Sequence, residues 1–542
     1  MITTLLNVHS NYSIGYGANH VEELCSAISK AGYTQVALTD INNLYHLFAF
    51  QKIAKRYDLN IICASHLKDS QDEINCYVQT EDGFENLCQL ISKLKIDSTA
   101  ELKSIIPEFK NGLRFTTPDI GLAEYLHQHG VSDLHIEIYS FQLAILRIKK
   151  ARSLGIGIIA SHPVYMISKN DLDVHKILQS ILHNRTLSEI NKLSVIHPES
   201  YLISPEDFEN RFEICPEAIE NLKTFLSTEW YQPRKRNTST IYLNQNLHQN
   251  AFDYLRELTL NGAVERYGEI TDVIENRIKK ELDIIEAKRF SEYFLTVRDI
   301  VNLTDNPHCG RGSAAASIIS YCLGITEIDP IKYNLYFERF LNMRREDPPD
   351  IDIDFGWDER DDILDKIFQG YGEEHCAMVS NHVLFQDRMA IREVAKAHGI
   401  PELEIQKFFK HNPSLFSYYY GTFFGNPESG NVTESLPPIW QKVIFLSKKI
   451  IGFPRYLSVH CGGFVVTPDL ITKSAPIEPA PKGINILQWE KDQTEDSGLI
   501  KIDILGNRSL SVIRDAKNAV QKNYHHKIDF SRLPISAGLR VT

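Results

Sequence analysis

Three aspartates, Asp350, Asp352 and Asp354, alternate with Ile351, Ile353 and Phe355 in the stretch PPDIDIDFGW. Residues two apart on a strand share a face, so Asp352 and Asp354 point the same way and Asp350 stands at the strand's entry. Carboxylates this close repel one another and are costly to bury. The face is either a solvated edge or a seat for a cation, and the stretch alone favours the edge. LIKIDIL, residues 499–505, is apolar on both faces except at Lys501 and Asp503, the pattern of a central, covered strand. These two could pair with each other, but a buried pair is weak evidence for stability, and a chemical role is the stronger reading. In CGRGSAAASIISYCLG, residues 309–324, Gly310 and Gly312 flank Arg311 and permit a backbone nest. Ser313 is placed to cap a helix starting at Ala314, whose amides beside an arginine would suit a phosphate. An ordinary capped helix is an equal reading of that stretch by itself, and its spacing is neither a P-loop nor a dinucleotide fingerprint. Together the three stretches describe one chemistry. Aspartates from two strands can hold two Mg²⁺ ions, which would activate a hydroxyl and stabilise a leaving pyrophosphate. Arg311, Lys501 and the glycine nest would neutralise a triphosphate. That is nucleotidyl transfer.

Such stretches need a scaffold. Residues 1 to about 185 alternate short apolar strands (TLLNVH, QVALTD, NIICAS, GLRFTT, DLHIEIYS, GIGIIAS) with amphipathic helices. This order predicts a parallel sheet or barrel, in which strand C-terminal ends are the places for chemistry. Those ends carry His9, Asp40, His66 and His162. From about 216 to 300 the pattern is helical, with Ile278, Leu282, Ile285 and Phe290 at helical intervals. Residues 307–372 are mixed and hold the aspartate strand. Residues 373–450 read as mostly helical around an irregular loop, NPSLFSYYYGTFFGNPESGNV. Short strands return over 452–510, and the last dozen residues suggest no element.

The 542 residues are too many for one core and predict three or four domains. A net charge of -12 speaks only weakly against a nucleic-acid partner, since an acidic protein can carry a local basic channel. Nine scattered cysteines without a C-x-x-C pair fit a reducing compartment and give no zinc or disulfide pattern. The N-terminus does not read as a signal peptide and no apolar run approaches membrane length. A cytoplasmic protein without a membrane partner is expected.

GRGSAAASIISYCLGITEIDPIKYNLYFERFLN followed by PPDIDIDF resembles the palm of the bacterial C-family DNA polymerases, the DNA polymerase III alpha subunits. HCGGFVVTP (460–468) and QWEKD with GLIKIDILGNRSLSVI (488–513) are similar to later palm motifs of that family. YLRELTLNGAVERYG and KKELDIIEAKRFSEYFLTVRDIV are similar to its run-in to the palm, and LNVHSNYS and ALTDINN to its polymerase-and-histidinol-phosphatase (PHP) domain. The resemblance implies an α/β multidomain chain. A PHP (β/α) barrel-like domain would span 1–215, and a mixed α/β nucleotidyltransferase-type palm would occupy 216–372 and 452–520. An inserted helical thumb would span 373–451, and a truncated or irregular tail 521–542. It implies Asp352, Asp354 and Asp503 as ligands of two Mg²⁺ ions, and Gly310, Arg311, Gly312, Ser313 and Lys501 as phosphate contacts. Arg388 and Arg392, in DRMAIREVAKAHG, match basic positions near the active site. The implied partners are primer–template DNA, a dNTP and other replisome subunits.

The sequence departs from the family in three places. The opening H-x-H of the PHP metal site is Asn7-Val8-His9, the His after Asp40 is Ile41, and the later D-x-H reads Pro163-Val164-Tyr165. His9, Asp40, His66, His162 and His175 remain as a vestigial set, so packing is the better reading there than phosphoesterase chemistry. Ala316 replaces a usual glycine. The chain stops soon after the Asp503 strand, where the family continues into fingers, a clamp-binding motif and an oligonucleotide-binding fold. Little polymerase activity is therefore expected unless a second chain carries the fingers and clamp-binding regions. The alternatives are a non-catalytic DNA- or replisome-binding remnant and, less favoured, a PHP-type metal phosphoesterase.

Overall fold

The structure is a computed structural model that describes residues 2–141, 145–190, 196–236, 250–345, 349, 351–412, 436–526 and 528. Asp350, most of the irregular loop beginning at 412, and nearly all of the tail beyond 526 lie outside the described residues.

The first domain is built on a seven-stranded sheet whose strands lie in chain order. They are β1 (Thr4–Val8), β2 (Gln35–Leu38), β3 (Asn60–Lys68), β4 (Glu73–Val78), β5 (Leu113–Thr117), β6 (Leu134–Tyr139) and β7 (Gly157–Ser161). TLLNV of β1 is buried along its whole length, as expected of a parallel strand covered on both faces. The sheet curls until its edges meet: His9 N donates to Val164 O at 2.8 Å and Val164 N to Asn7 O at 2.8 Å. The barrel-like expectation thus holds, with one exception in direction. β4, which the sequence pattern did not reveal, runs antiparallel to both β3 and β5. Only residues 69–72 join β3 to β4, too few for a parallel crossover. Asp69 closes that hairpin by accepting from the amides of Gln71 and Asp72, each at 2.7 Å.

The second sheet is mixed, in the order β12-β13-β10-β11-β14-β9-β8. Its strands are β8 (Cys309–Arg311), β9 (Asp352–Gly356), β10 (Cys376–Leu384), β11 (Pro454–Val466), β12 (Ile477–Pro479), β13 (Asn485–Leu487) and β14 (Lys501–Asn507). The mostly helical reading of residues 373–450 fails at its start, because β10 is a central strand of this sheet. CAMV is short, apolar and flanked by helices, and periodicity alone does not separate such a run from a buried helical turn. Beyond β10 the chain is helical in Asp387–Ala397, Glu402–His411 and Pro438–Ile450. The helix after β14, Arg508–Tyr524, runs past the expected boundary at 520.

Both later units lean on the first domain. Phe385, Ile391, Val394, Phe408, Val443 and Ile444 of the helical insertion share a core with Val174, Ile177 and Leu178 of the helix Leu172–His183. Likewise Ala377, Val379, Leu487, Trp489 and Leu499 join the core beneath the first sheet.

Candidate active site

Register brings the carboxylates together. β14 runs parallel to β9 with Asp503 opposite Asp352 and Leu505 opposite Asp354. Asp352, Asp354, Lys501 and Asp503 therefore share one face of two adjacent strands. β8 pairs antiparallel on the other side of β9, with Arg311 opposite Asp352. The Arg311 Nε lies 3.5 Å from Asp352 Oδ2 and 3.7 Å from Asp354 Oδ1. Lys501 forms an ion pair with Asp503 Oδ2, the pairing that the sequence left open. Asp503 Oδ1 is buried and accepts no hydrogen bond among the described residues. An uncompensated buried carboxylate oxygen is costly, and a cation is the group that would satisfy it.

Two residues around these carboxylates escaped the sequence reading. Asn507 Nδ2 donates to Asp354 Oδ2 at 3.0 Å, while its Oδ1 caps the helix Arg508–Tyr524 by accepting from Ser509 N at 2.9 Å. His460 sits where β11 bulges: Ser380 pairs with Val459 and Met378 with Phe464, so residues 460–463 have no counterpart on β10. A bulge re-aims side chains, and here it puts His460 Nδ1 4.0 Å from Asp503 Oδ1. The amide of Gly463 donates to that Nδ1 at 2.9 Å, so the ring proton belongs on Nε2. Burial lowers the His460 pKa, against the opposing pull of Asp503. Gly463 faces Asp503 across the strands. A Cβ there would lie 3.1 Å from Lys501 Cδ and 3.2 Å from Asp503 Oδ1, so the glycine keeps the space beside the carboxylate open.

The phosphate cradle differs from expectation. Residues Gly312–Ala316 form a 3₁₀ turn, and the helix Ile318–Cys322 starts later, capped by Ser317 and not by Ser313. Its first amides are taken: Ile318 N and Ile319 N donate to the buried carboxylate of Glu281 at 3.2 and 3.3 Å. That helix end is therefore closed to an anion. What remains for a phosphate is the rim, where Arg311 and Gly312 are exposed and Ser313 half-buried. Gly312 has φ +70°, a conformation that favours glycine, and it turns the chain away from β8.

Arg388 and Arg392 lie on the helix Asp387–Ala397. Arg388 sits over the Phe409 ring at 5.1 Å, and Arg392 pairs with Glu402 at 3.1 Å. Both are thus held within the helical insertion.

In the first domain His9, Asp40 and His66 converge, each engaged by neighbouring side chains. His9 Nε2 donates to Asn7 Oδ1 at 2.9 Å, and the ring stacks on Tyr165 at 3.9 Å. Asp40 accepts from Ser10 N, Ser10 Oγ and Ser13 Oγ at 2.7 to 2.8 Å. Burial outweighs those bonds and raises its pKa to about 6. His66 Nδ1 donates to Asn75 Oδ1 at 3.0 Å, and Nε2 lies 3.7 Å from Glu73, whose pKa falls to about 2 chiefly through this contact. The buried Glu137 accepts from Asn75 at 2.7 Å and from Thr116. The lone Glu in the apolar strand DLHIEIYS was its overlooked signal. His175 is a ring away, behind Tyr165, with Nδ1 donating to Tyr16 O at 2.7 Å. His162 turns elsewhere, to Ser140 and the Tyr201 carbonyl. Among the described residues no three His, Cys, Asp or Glu side chains form a group able to hold a metal, in this barrel or at β9 and β14. At β9 and β14 Arg311 and Lys501 already lie against the carboxylates.

Two family models and several curated proteins match this chain. A family model described as the bacterial DNA polymerase III alpha NTPase domain matches residues 253–506, and the PHP domain model matches residues 6–135. The chain carries a DNA polymerase III alpha-type domain and a PHP domain. It is 29% identical to the DNA polymerase III subunit alpha of Bacillus subtilis, over 98% of this chain and 50% of that protein. It is 30% identical to an error-prone DNA polymerase of Pseudomonas savastanoi pv. phaseolicola, over 98% of this chain and 53% of that protein. A Bdellovibrio bacteriovorus error-prone DNA polymerase matches at 28% over 93% of this chain and 50% of its own length. The chain thus spans about half the length of the curated relatives it matches. The polymerase III alpha match contains β8, β9 and β14 almost entirely, so it encloses the carboxylate face. Among the described residues no helix is long and apolar enough to cross a membrane.

Proposed function

We propose that the chain is a template-directed DNA polymerase whose palm transfers a nucleotide from a dNTP to a primer 3′-hydroxyl. The observation that carries this reading is the common face of Asp352, Asp354 and Asp503, with the buried Asp503 Oδ1 accepting no hydrogen bond among the described residues. These three residues would hold two Mg²⁺ ions. Bound there, divalent metal lowers the pKa of the attacking hydroxyl and neutralises the leaving pyrophosphate. The chain's own residues do the rest. Asn507 orients Asp354. Lys501 and Arg311 supply fixed positive charge beside the carboxylates, suited to a triphosphate whose transfer depends on positioning and electrostatics. Gly310, Gly312 and Ser313 shape the turn that presents Arg311. The helical insertion, with Arg388 and Arg392, is the thumb and would follow the primer–template backbone. The first domain, its polar residues engaged with asparagines, serines and Glu73, acts as structural support and not as a phosphoesterase. A cytoplasmic setting and other replisome subunits accompany this reading.

Positioning of the incoming base calls for surfaces beyond the carboxylate face, and fingers and clamp-binding regions supplied to residues 1–542 would complete the enzyme. Primer extension with Mg²⁺ tests this. Little synthesis by the chain alone, and synthesis restored by a polypeptide supplying the fingers, are expected. Complementation by Asp352→Asn and Asp503→Asn chains as effective as the unaltered one would instead establish a non-catalytic DNA- or replisome-binding role.

A further inference from the structure

The turn that carries Arg311 is gripped from behind by a buried ion pair. Arg277 and Glu281 lie one turn apart on the helix Asp272–Lys288, with Arg277 Nε 2.6 Å from Glu281 Oε1. Glu281 is fully buried. Besides the amides of Ile318 and Ile319, its carboxylate accepts from Ser317 Oγ at 2.8 Å. Arg277 Nη2 donates to the carbonyls of Ala316 and Leu335, each at 2.9 Å. The pair therefore holds the last carbonyl of the Gly312–Ala316 turn together with the first amides of the helix that follows. A buried ion pair adds little stability that hydrocarbon could not supply. What hydrocarbon cannot do is fix a carbonyl and three donors at one chain junction.

We propose that Arg277 and Glu281 are positioning residues, which lock the 316–318 junction so that the Arg311 turn faces the Asp352 and Asp354 strand and receives the triphosphate. This inference rests on the reading of that turn as a phosphate cradle. Arg277 neutralises Glu281, so the clamp adds no net negative charge behind the cradle.

The test titrates the full chain, with Mg²⁺, with a fluorescent non-hydrolysable nucleoside triphosphate, and follows amide exchange at residues 312–317 and thermal melting. Arg311→Ala is the control. A wild-type chain that binds no probe, or an Arg311→Ala chain that binds equally well, overturns the cradle reading itself. With that control weakened, Glu281→Gln and Arg277→Lys are expected to bind the probe about tenfold more weakly, the scale of a lost charge-assisted bond at a positioned group. Exchange at 312–317 should quicken. Lower melting with unchanged affinity and unchanged exchange would make the clamp merely structural and overturn the inference. Ser317→Ala keeps the ion pair and removes one donor to Glu281 together with the cap on Ser320 N. It is expected to weaken binding about threefold, and it decides the matter if Glu281→Gln does not fold, since unchanged affinity in Ser317→Ala and Arg277→Lys likewise overturns the proposal.

Discussion

Arg311 and a divalent cation would compete for the same carboxylates. Its guanidinium is half exposed and lies 3.5 and 3.7 Å from Asp352 and Asp354, so it offers them a weak, water-screened substitute for metal. Arg311→Gln is expected to tighten Mn²⁺ binding several-fold, read by electron paramagnetic resonance, while weakening triphosphate binding. Weakening of both would mean that Arg311 organises the carboxylates instead of competing for them. Asp503→Asn removes the charge on the carboxylate whose buried Oδ1 accepts no hydrogen bond among the described residues and strands Lys501 beside a neutral amide. Mn²⁺ binding in that variant is expected to fall at least about tenfold, the effect of losing one hard anionic ligand. Unchanged binding would place the metal elsewhere. Asp352, Asp354, Lys501 and Asp503 were legible in the sequence because period-two alternation in an apolar run marks a shared face. His460 and Asn507 were not, because each reaches the site through a bulge or a strand end, and neither leaves a periodic trace.

At the scale of elements, strands declare themselves by alternation or by apolar runs, whereas direction and partnership depend on register. β9 and β14 were found on that basis. β10 was not, since its CAMV run is followed by the polar SNH, which makes sense only when the partners are known. His382 of this segment is buried near Tyr12, Tyr45 and Glu490. His46 of the first domain joins them, stacked on Tyr12 at 4.1 Å. The helix that Ser313 was expected to cap also starts later than expected, because Glu281, distant in sequence, dictates its first turn. The joint at β10 has a pH consequence. Burial, assisted by the neighbouring His382, lowers the His46 pKa from 6.5 to about 4, against the pull of Glu490. The unfolded chain then binds a proton that the folded chain refuses between those values. Stability from this group is complete above pH 6.5 and is lost as the pH falls towards 4, by up to about 3 kcal/mol. His46→Gln is expected to flatten the urea-denaturation midpoint over pH 6.5 to 4. An unaltered slope would assign the acid sensitivity to other buried histidines.

Across the whole molecule the two sheets are not separable bodies. Trp489 is fully buried, donates Nε1–H to the Leu44 carbonyl at 3.0 Å, and meets Phe48 edge-on at 5.1 Å. Gln488 accepts from Leu44 N at 3.0 Å, and Tyr45 donates to Glu478 at 2.7 Å. The sheet bearing the carboxylates thus closes its far side on the first domain, whose histidines and Asp40 are turned to internal hydrogen bonds. Among its described residues the first domain assembles no metal group, yet its surface completes the core of the other. Trp489→Ala should cost about 3–5 kcal/mol, the usual range for emptying a large aromatic site. Because both sides lose contacts, calorimetry is expected to show one transition for the chain, moved to lower temperature as a whole. If two transitions appeared and only one moved, the domains would be independent, and the carboxylate face would not need the barrel behind it.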